Sequence, residues 1–199
     1  MIIGLLGKKG SGKSTVASYL KAKYSFEEYT LATPLKQVAM LFGFNETHLN
    51  GTQVDKTTLI ELQFNSPREY KEFCQELYPD QWDDLYKLIQ QFVKNNYGEH
   101  MCARDFCQTF GSMCRDHATL NRIWIELMLD FLQCKDQDTI VVSDIRYEDE
   151  WEAICTNNLN TLSIKIQTND TATDEFSTHH SETSMDKISP DILLRNDGT

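Results

Sequence analysis

Short apolar runs separated by longer stretches of helical periodicity set the rhythm of the chain. Residues 2–6, Ile-Ile-Gly-Leu-Leu, read as a buried strand, and residues 139–143, Thr-Ile-Val-Val-Ser, as a β-branched run with polar ends. Uninterrupted runs of this length suit parallel strands covered on both faces. Residues 27–32, 161–166 and 191–194 supply three further candidate strands. Between them the period becomes helical. Val16, Ala17 and Leu20 share one side of a helix over 13–23. Another helix is expected over 34–43, with Thr33 as its N-cap, Pro34 in the first helical position and Gly43 as its stop. Residues 147–157 again look helical. Strands alternating with helices along the whole length predict a three-layer α/β fold around a parallel sheet.

Residues 45–100 depart from that alternation. They are polar and aromatic-rich, helical in pattern, with breaks expected at Pro67 and Pro79. A helix over 80–96 would bury Trp82, Leu85, Leu88, Ile89 and Phe92. Two more helices follow, over 103–116 and 119–134. The chain therefore reads as one domain, 1–199, with a helical insertion at 45–135 whose charges mostly form a solvated face. Residues 168–189, rich in Thr, Ser and Asp, read as a loop or lid.

The helix over 103–116, ARDFCQTFGSMCRD, has two unlike faces. At 100° per residue, Arg104, Gln108, Gly111 and Arg115 fall within about 60° of one another, opposite Phe106, Phe110 and Met113. Packing explains the apolar face. Two arginines, an amide and a glycine in one line need another reason, because glycine inside a helix costs about 1 kcal/mol.

Composition narrows the possibilities. At 199 residues, 40% hydrophobic and 25% charged, the chain is an ordinary globular protein with one sizeable core. The apolar runs are too short to span a membrane. The start lacks the charged segment, apolar core and cleavage site of a signal peptide. Six cysteines, at 74, 102, 107, 114, 134 and 155, form no CxxC pair and mostly occupy apolar helical positions, which fits a reducing cytoplasm. His100, Cys102 and Cys107 match no zinc spacing. Nineteen basic against thirty acidic residues leave a net charge of −11, which argues against binding a nucleic-acid polymer. On that background, a local cluster of Lys and Arg is informative.

Residues 7–14, GKKGSGKS, match G-x-x-x-x-G-K-[ST]. A chain of this composition would show the pattern by chance on the order of once in a hundred. Here it also follows a buried strand and opens a helix, as a phosphate-binding loop must. Gly7, Gly10 and Gly12 permit a backbone that turns several N–H groups toward one point, at a helix N-terminus that favours anions. Gly10, Ser11, Gly12, Lys13, Ser14 and Thr15 are thus the candidate ATP-binding residues, with Lys13 on the β- and γ-phosphates and Ser14 on Mg²⁺. No NKxD guanine-reading segment is present, and the size suits a small kinase. Asp144 follows the 139–143 strand, where a parallel sheet presents its ligands. It is a candidate metal or substrate residue, or the N-cap of the next helix. Arg146 could hold phosphate, and Glu150 lies one turn into that helix.

With these pieces assembled, the sequence resembles the deoxynucleoside monophosphate kinases of bacteriophages and large DNA viruses, within the P-loop kinase superfamily. The resemblance is carried by IIGLLGKKGSGKST, LATPLKQVAMLFGF, ARDFCQTFGSMCRD, the tryptophan of RIWIE, VVSDIRYEDEWEAI, HHSET and RNDGT, in that order. It implies a nucleoside monophosphate kinase-like P-loop NTPase fold. It also implies γ-phosphoryl transfer from ATP, with Mg²⁺, to a deoxynucleoside monophosphate, supplying DNA precursors. On this basis Lys13 and Ser14 carry over as ATP and metal residues, and Asp144 as a second metal candidate. Lys36, Arg104, Gln108, Gly111, Ser112, Arg115, Trp124, Asp144, Arg146 and Glu150 carry over as the acceptor site. In the family the HHSET loop lies near the active site, which adds Ser181 and Glu182; His179 and His180 read as solvated loop residues. Two features depart from the family pattern: Ser112 stands where threonine is usual, and the chain stops at Thr199 where relatives usually continue into a short helix.

Charge then shapes the expected mechanism. A monophosphate is already a dianion near neutral pH and needs no strong base. The obstacle is bringing two anions together, so catalysis should be positioning and charge stabilisation. Arginine suits this better than lysine because its fork grips phosphate bidentately. Lys13, Arg104, Arg115, Asp144 and Arg146 form the expected catalytic set, with Arg122 a weaker candidate. Two other readings compete: a small-molecule kinase of the phosphomevalonate type, which shares the Asp-x-Arg and His-x-Ser-Glu patterns, and a nucleotide-binding regulator without turnover. The expected partners are small molecules, with no membrane. The expected location is cytoplasmic (the host cytoplasm for a viral protein), and the helical surface of 80–134 is a candidate homodimer interface.

Overall fold

The computed structural model describes residues 1–8, 10–135, 139–157, 160–168 and 187–197. Most of the expected loop at 168–189, including His179, His180, Ser181 and Glu182, lies outside the described residues. The chain opens with β1 (Ile2–Leu6), α1 (Lys13–Tyr24) and β2 (Glu27–Tyr29). It continues through α2 (Ala32–Met40), α3 (Glu46–Asn50), α4 (Gln53–Thr57), β3 (Leu59–Glu61), α5 (Pro67–Leu77), a 3₁₀ turn (Pro79–Gln81), α6 (Trp82–Asn96), β4 (His100–Cys102) and α7 (Ala103–Asp116). It closes with α8 (Ile123–Cys134), β5 (Ile140–Val142), α9 (Glu148–Asn157), β6 (Thr161–Thr168) and β7 (Ile192–Asn196). Two compact units result, one from residues 1–31 with 128–199 and one from 32–127.

The first unit is built on a five-stranded sheet in the order β2-β5-β1-β6-β7, with every pairing parallel. Residues of β1 alternate between its faces, as strand geometry requires. Ile3 and Leu5 pack with Ala17 of α1, Phe26 and Val141, with Val16, Leu20, Leu162 and Ile164 around them. The opposite face carries Gly4, where a Cβ would lie 2.5 Å from the Trp151 ring of α9 and 2.7 Å from Ile145. Glycine therefore lets α9 close on the second face. With helices on both faces, the parallel strands are shielded, and β1, β5 and Ile166 of β6 are buried as their apolar sequences anticipate. At the far edge, the Asp191 carboxylate accepts the Ser163 N–H and Oγ–H at 2.8 and 2.7 Å, and the Asp191 N–H donates to Ser163 Oγ at 2.9 Å. That clamp fixes where β7 begins.

The second unit is helical around an aromatic core. Phe42, Phe92 and Phe106 lie pairwise with ring centroids 5.0–5.1 Å apart, and Phe110 stacks on Phe106 at 5.7 Å. Each such contact adds about 0.5–1.5 kcal/mol beyond area burial. Leu85, Leu88, Ile89 and Phe92 form the buried side of α6, as its periodicity predicts. Trp82 differs: it is half-buried, with Lys71 Nζ 5.1 Å over its ring.

Several boundaries move for physical reasons. The helix expected from Pro34 begins at Ala32 and ends at Met40, so Thr33 lies inside its first turn. Proline is tolerated there because the first helical N–H groups have no intrahelical partner. Gly43, at φ +91°, closes the turn beyond the helix, with its N–H on the Met40 carbonyl. Pro67 does not break a helix but starts one: Ser66 and Glu69 form a reciprocal capping box around it. The short antiparallel ribbon of β3 and β4 falls within the stretch expected to be helical.

Candidate functional site

The loop after β1 is shaped by glycines in conformations closed to most residues. Gly7, Gly10 and Gly12 have φ of +144°, +80° and +102°. A Cβ on Gly7 would lie 2.5 Å from the Ile166 carbonyl, and none of the described residues lies within 4 Å of one on Gly10. The Ser11 N–H returns to the Lys8 carbonyl at 3.1 Å, and the Gly12 carbonyl accepts the Val16 N–H at 3.1 Å, the first bond of α1. Lys13 Nζ donates to the Gly7 carbonyl and, at 2.9 Å, to the Lys8 carbonyl. The ammonium thus lies over the loop. Ser14 and Thr15 are exposed on the first turn of α1. Ser11 is buried, and its Oγ has no hydrogen-bond partner among the described residues. An open glycine cradle, a helix N-terminus and a poised ammonium fit a polyphosphate.

Asp144 follows β5, the strand that pairs with β1 as far as Gly4 opposite Val142, by two residues. Its Oδ1 accepts the Leu31 N–H at 2.7 Å, tying the end of β5 to the chain leaving β2. The Ser143 hydroxyl donates to Glu28 at 2.7 Å and reinforces the same junction. Tyr29 is buried below it, with no hydrogen-bond partner for its hydroxyl among the described residues. Burial first, then the Asp144 and Asp130 carboxylates, push that phenol well above the usual tyrosine range and keep it neutral.

At the start of α9 the Glu150 carboxylate serves the incoming backbone. Glu150, 4% exposed, accepts the N–H groups of Arg146 and Tyr147 at 2.8 and 3.1 Å. Arg146 itself is exposed. The described bonds of Glu150 therefore hold the backbone that presents Arg146. Mg²⁺ binds through one or two carboxylates plus substrate phosphates and keeps several waters. Asp144 and Ser14 suit that sparse demand, and no cluster of three metal-ligating side chains occurs among the described residues.

In the helical unit, α7 runs unbroken from Ala103 to Asp116, through Gly111. Its buried side is Ala103, Phe106, Phe110 and Cys114; Met113, expected there, is half-buried at the edge. Arg104, Gln108, Gly111, Ser112 and Arg115 are exposed or half-buried. Gly111 does not end a helical segment. A Cβ there would meet Leu35 of α2 at 3.4 Å, an ordinary contact. Lys36, also on α2, donates to Asn50 Oδ1 at 2.7 Å. Its charge reaches Cys107 of α7, but burial outweighs it and raises that thiol to about 11. Trp124 is buried, with no partner for its indole N–H among the described residues, and Arg122 is exposed.

One contact was not legible from spacing. Asn196, the last residue of β7, donates from Nδ2 to the Ser11 carbonyl at 3.1 Å across 185 residues of sequence.

Comparison with known proteins bears on this arrangement. A protein of Acanthamoeba polyphaga mimivirus, provisionally named a deoxynucleotide monophosphate kinase, is 30% identical, covering 100% of this chain and 90% of its own. The deoxynucleoside-5'-monophosphate kinase of Escherichia phage T5 is 24% identical over 83% of this chain and 76% of its own. Among solved structures, an unliganded sugar kinase from a Janibacter species aligns with a TM-score of 0.41 at 10% identity, over 98% of this chain and 84% of its own. The characteristic pattern of the deoxynucleotide monophosphate kinases matches residues 1–199, and the chain belongs to that family.

Proposed function

We propose that the protein transfers the γ-phosphoryl group of ATP to a deoxynucleoside monophosphate, releasing ADP and a deoxynucleoside diphosphate. The observation that carries this reading is the continuity of α7. One unbroken helix presents Arg104, Gln108 and Arg115 on one line while Phe106 and Phe110 lock its opposite side into the aromatic core. A rigid, doubly basic stripe on a protein of net charge −11 suits an anionic acceptor.

In this reading Gly10 to Thr15 hold the triphosphate, and Lys13 exchanges the Gly7 and Lys8 carbonyls for phosphate oxygens. Ser14 and Asp144 would hold Mg²⁺, which would supply neutralisation of phosphate charge. An oxygen of the acceptor phosphate attacks the γ-phosphorus, and the bond to the β-bridging oxygen breaks. Arg104, Arg115 and Arg146 meet the phosphate charge bidentately. Gln108 reads a base edge, Ser112 and the Trp124 N–H offer further donors, and Gly111 keeps the stripe low. Lys36 serves from α2, and Glu150 keeps Arg146 in place. Catalysis by positioning and electrostatics needs no general base.

The test is ADP release from ATP and Mg²⁺ with a panel of deoxynucleoside monophosphates, and with phosphomevalonate as the rival acceptor. Release with at least one deoxynucleotide supports the proposal. Release with phosphomevalonate alone overturns it.

A further inference from the structure

A phosphate cradle has a geometric requirement. If the N–H groups of a loop converge on an anion, its carbonyls point outward and need other partners. In this loop four carbonyls have partners that can be traced. The Gly7 and Lys8 carbonyls take Lys13 Nζ, the Lys8 carbonyl also takes the Ser11 N–H, and the Gly12 carbonyl takes Val16 of α1. The Ser11 carbonyl is served from outside, by Asn196 Nδ2 at 3.1 Å. The amide orientation is set chemically, because a carbonyl only accepts and so must face the nitrogen. The same nitrogen lies 3.1 Å from where a Gly12 side chain would begin. Asn196 therefore bears on two successive loop residues.

Its own position is well determined. Asn196 pairs in register with Thr168 at the end of β7, and the strand is held at its start by the Asp191–Ser163 clamp. Lys13 must leave its carbonyls to engage phosphate, whereas the Asn196 bond joins no reacting group.

We propose that Asn196 is a positioning residue for the phosphate loop, holding the Ser11–Gly12 backbone in the shape that binds ATP. The inference rests on the reading that this loop binds ATP. It is tested by equilibrium binding of Mg·ATP and steady-state kinetics on the full chain, comparing Asn196→Ala, Asn196→Asp and Ser163→Ala. Loss of one neutral hydrogen bond should weaken Mg·ATP binding in Asn196→Ala roughly three- to tenfold. KM for ATP should rise in parallel while KM for the acceptor stays within about twofold of the unaltered protein. Asn196→Asp, close in shape but without the donor and with a charge near the phosphates, should lose more. Ser163→Ala, which loosens the same strand at its other end, should lower the melting temperature without weakening Mg·ATP. Unchanged binding in Asn196→Ala overturns the proposal, as does an equal loss in Ser163→Ala, which would mark a merely structural effect. Failure of the unaltered protein to bind Mg·ATP overturns the parent reading as well.

Discussion

Asp144 spends one carboxylate oxygen on the backbone N–H of Leu31, at 2.7 Å. This bond gives the residue a structural duty separable from its charge. Asp144→Asn keeps an oxygen for Leu31 but carries no charge, so its thermal stability should stay close to that of the unaltered protein. Its turnover should fall by roughly two orders of magnitude or more, the scale seen when one electrostatic contributor to a transition state is removed. Asp144→Ala should also lose stability, by about 1.5–3 kcal/mol, the range for a hydrogen bond to a charged group. Melting curves beside kcat for both variants check this; equal destabilisation would mean that the Leu31 bond is not what Asp144 contributes to folding.

Lys13 is the residue whose loss the reaction should tolerate least. Its ammonium is already held over the loop by the Gly7 and Lys8 carbonyls. Lys13→Ala should abolish measurable turnover while leaving the sheet and aromatic core intact by circular dichroism. Residual turnover near the unaltered rate would remove Lys13 from the catalytic set.

Arg104 should act on the acceptor and not on ATP. Arg104→Ala is expected to raise the acceptor KM about tenfold or more, the cost of a charge-assisted bond, with KM for ATP little changed. Arg104→Lys should recover only part of the loss, because lysine lacks the planar fork. Unchanged acceptor kinetics in Arg104→Ala would refute its assignment.

Gly111 offers a prediction with opposite signs on stability and function. The helix continues through it, and among the described residues a Cβ would meet Leu35 alone, at 3.4 Å. Gly111→Ala should therefore stabilise the protein by about 0.5–1 kcal/mol. If the bare backbone serves acceptor approach, the same variant should raise the acceptor KM. Calorimetry with acceptor kinetics separates the two effects, and a destabilised variant would contradict the packing described for α7 against α2.

The thiols report the folded state directly. Burial pushes Cys74 up to about 12 and Cys107 to about 11, and raises Cys102 and, more strongly, Cys114. A raised thiol pKa means less thiolate at pH 8, hence slow reaction. Cys134 and Cys155 are exposed. Disulfide-exchange labelling at pH 8 should count two fast thiols, with the other four released on unfolding. Fast reaction of Cys114 would contradict its place on the buried side of α7.

Where the fold was readable from sequence, the signal was local. β1, α1 and α7 follow from an apolar run, a glycine-rich turn and a helical stripe, each complete within about fifteen residues. Ser66-Pro-Arg-Glu69 also carried a readable capping box, although proline alone suggests a break. The β3–β4 ribbon was not readable, because three-residue strands leave no period and pair far apart in sequence. The rotation of the buried side of α7 from Met113 toward Cys114 depends on which helices pack on it. Among the candidate site residues, the glycine-rich loop and the basic stripe were visible as patterns. The Leu31 bond of Asp144, the capping role of Glu150 and the grip of Asn196 on Ser11 are long-range or backbone contacts that no spacing encodes.

The central claim is the destination of the γ-phosphoryl group. ATP carrying labelled phosphorus at the γ position should be incubated with Mg²⁺, the protein and each deoxynucleoside monophosphate in turn. Label in the deoxynucleoside diphosphate, with one equivalent of unlabelled ADP, is the result expected for at least one acceptor. Label found only in inorganic phosphate, or retained in ATP with every deoxynucleotide, would contradict the account.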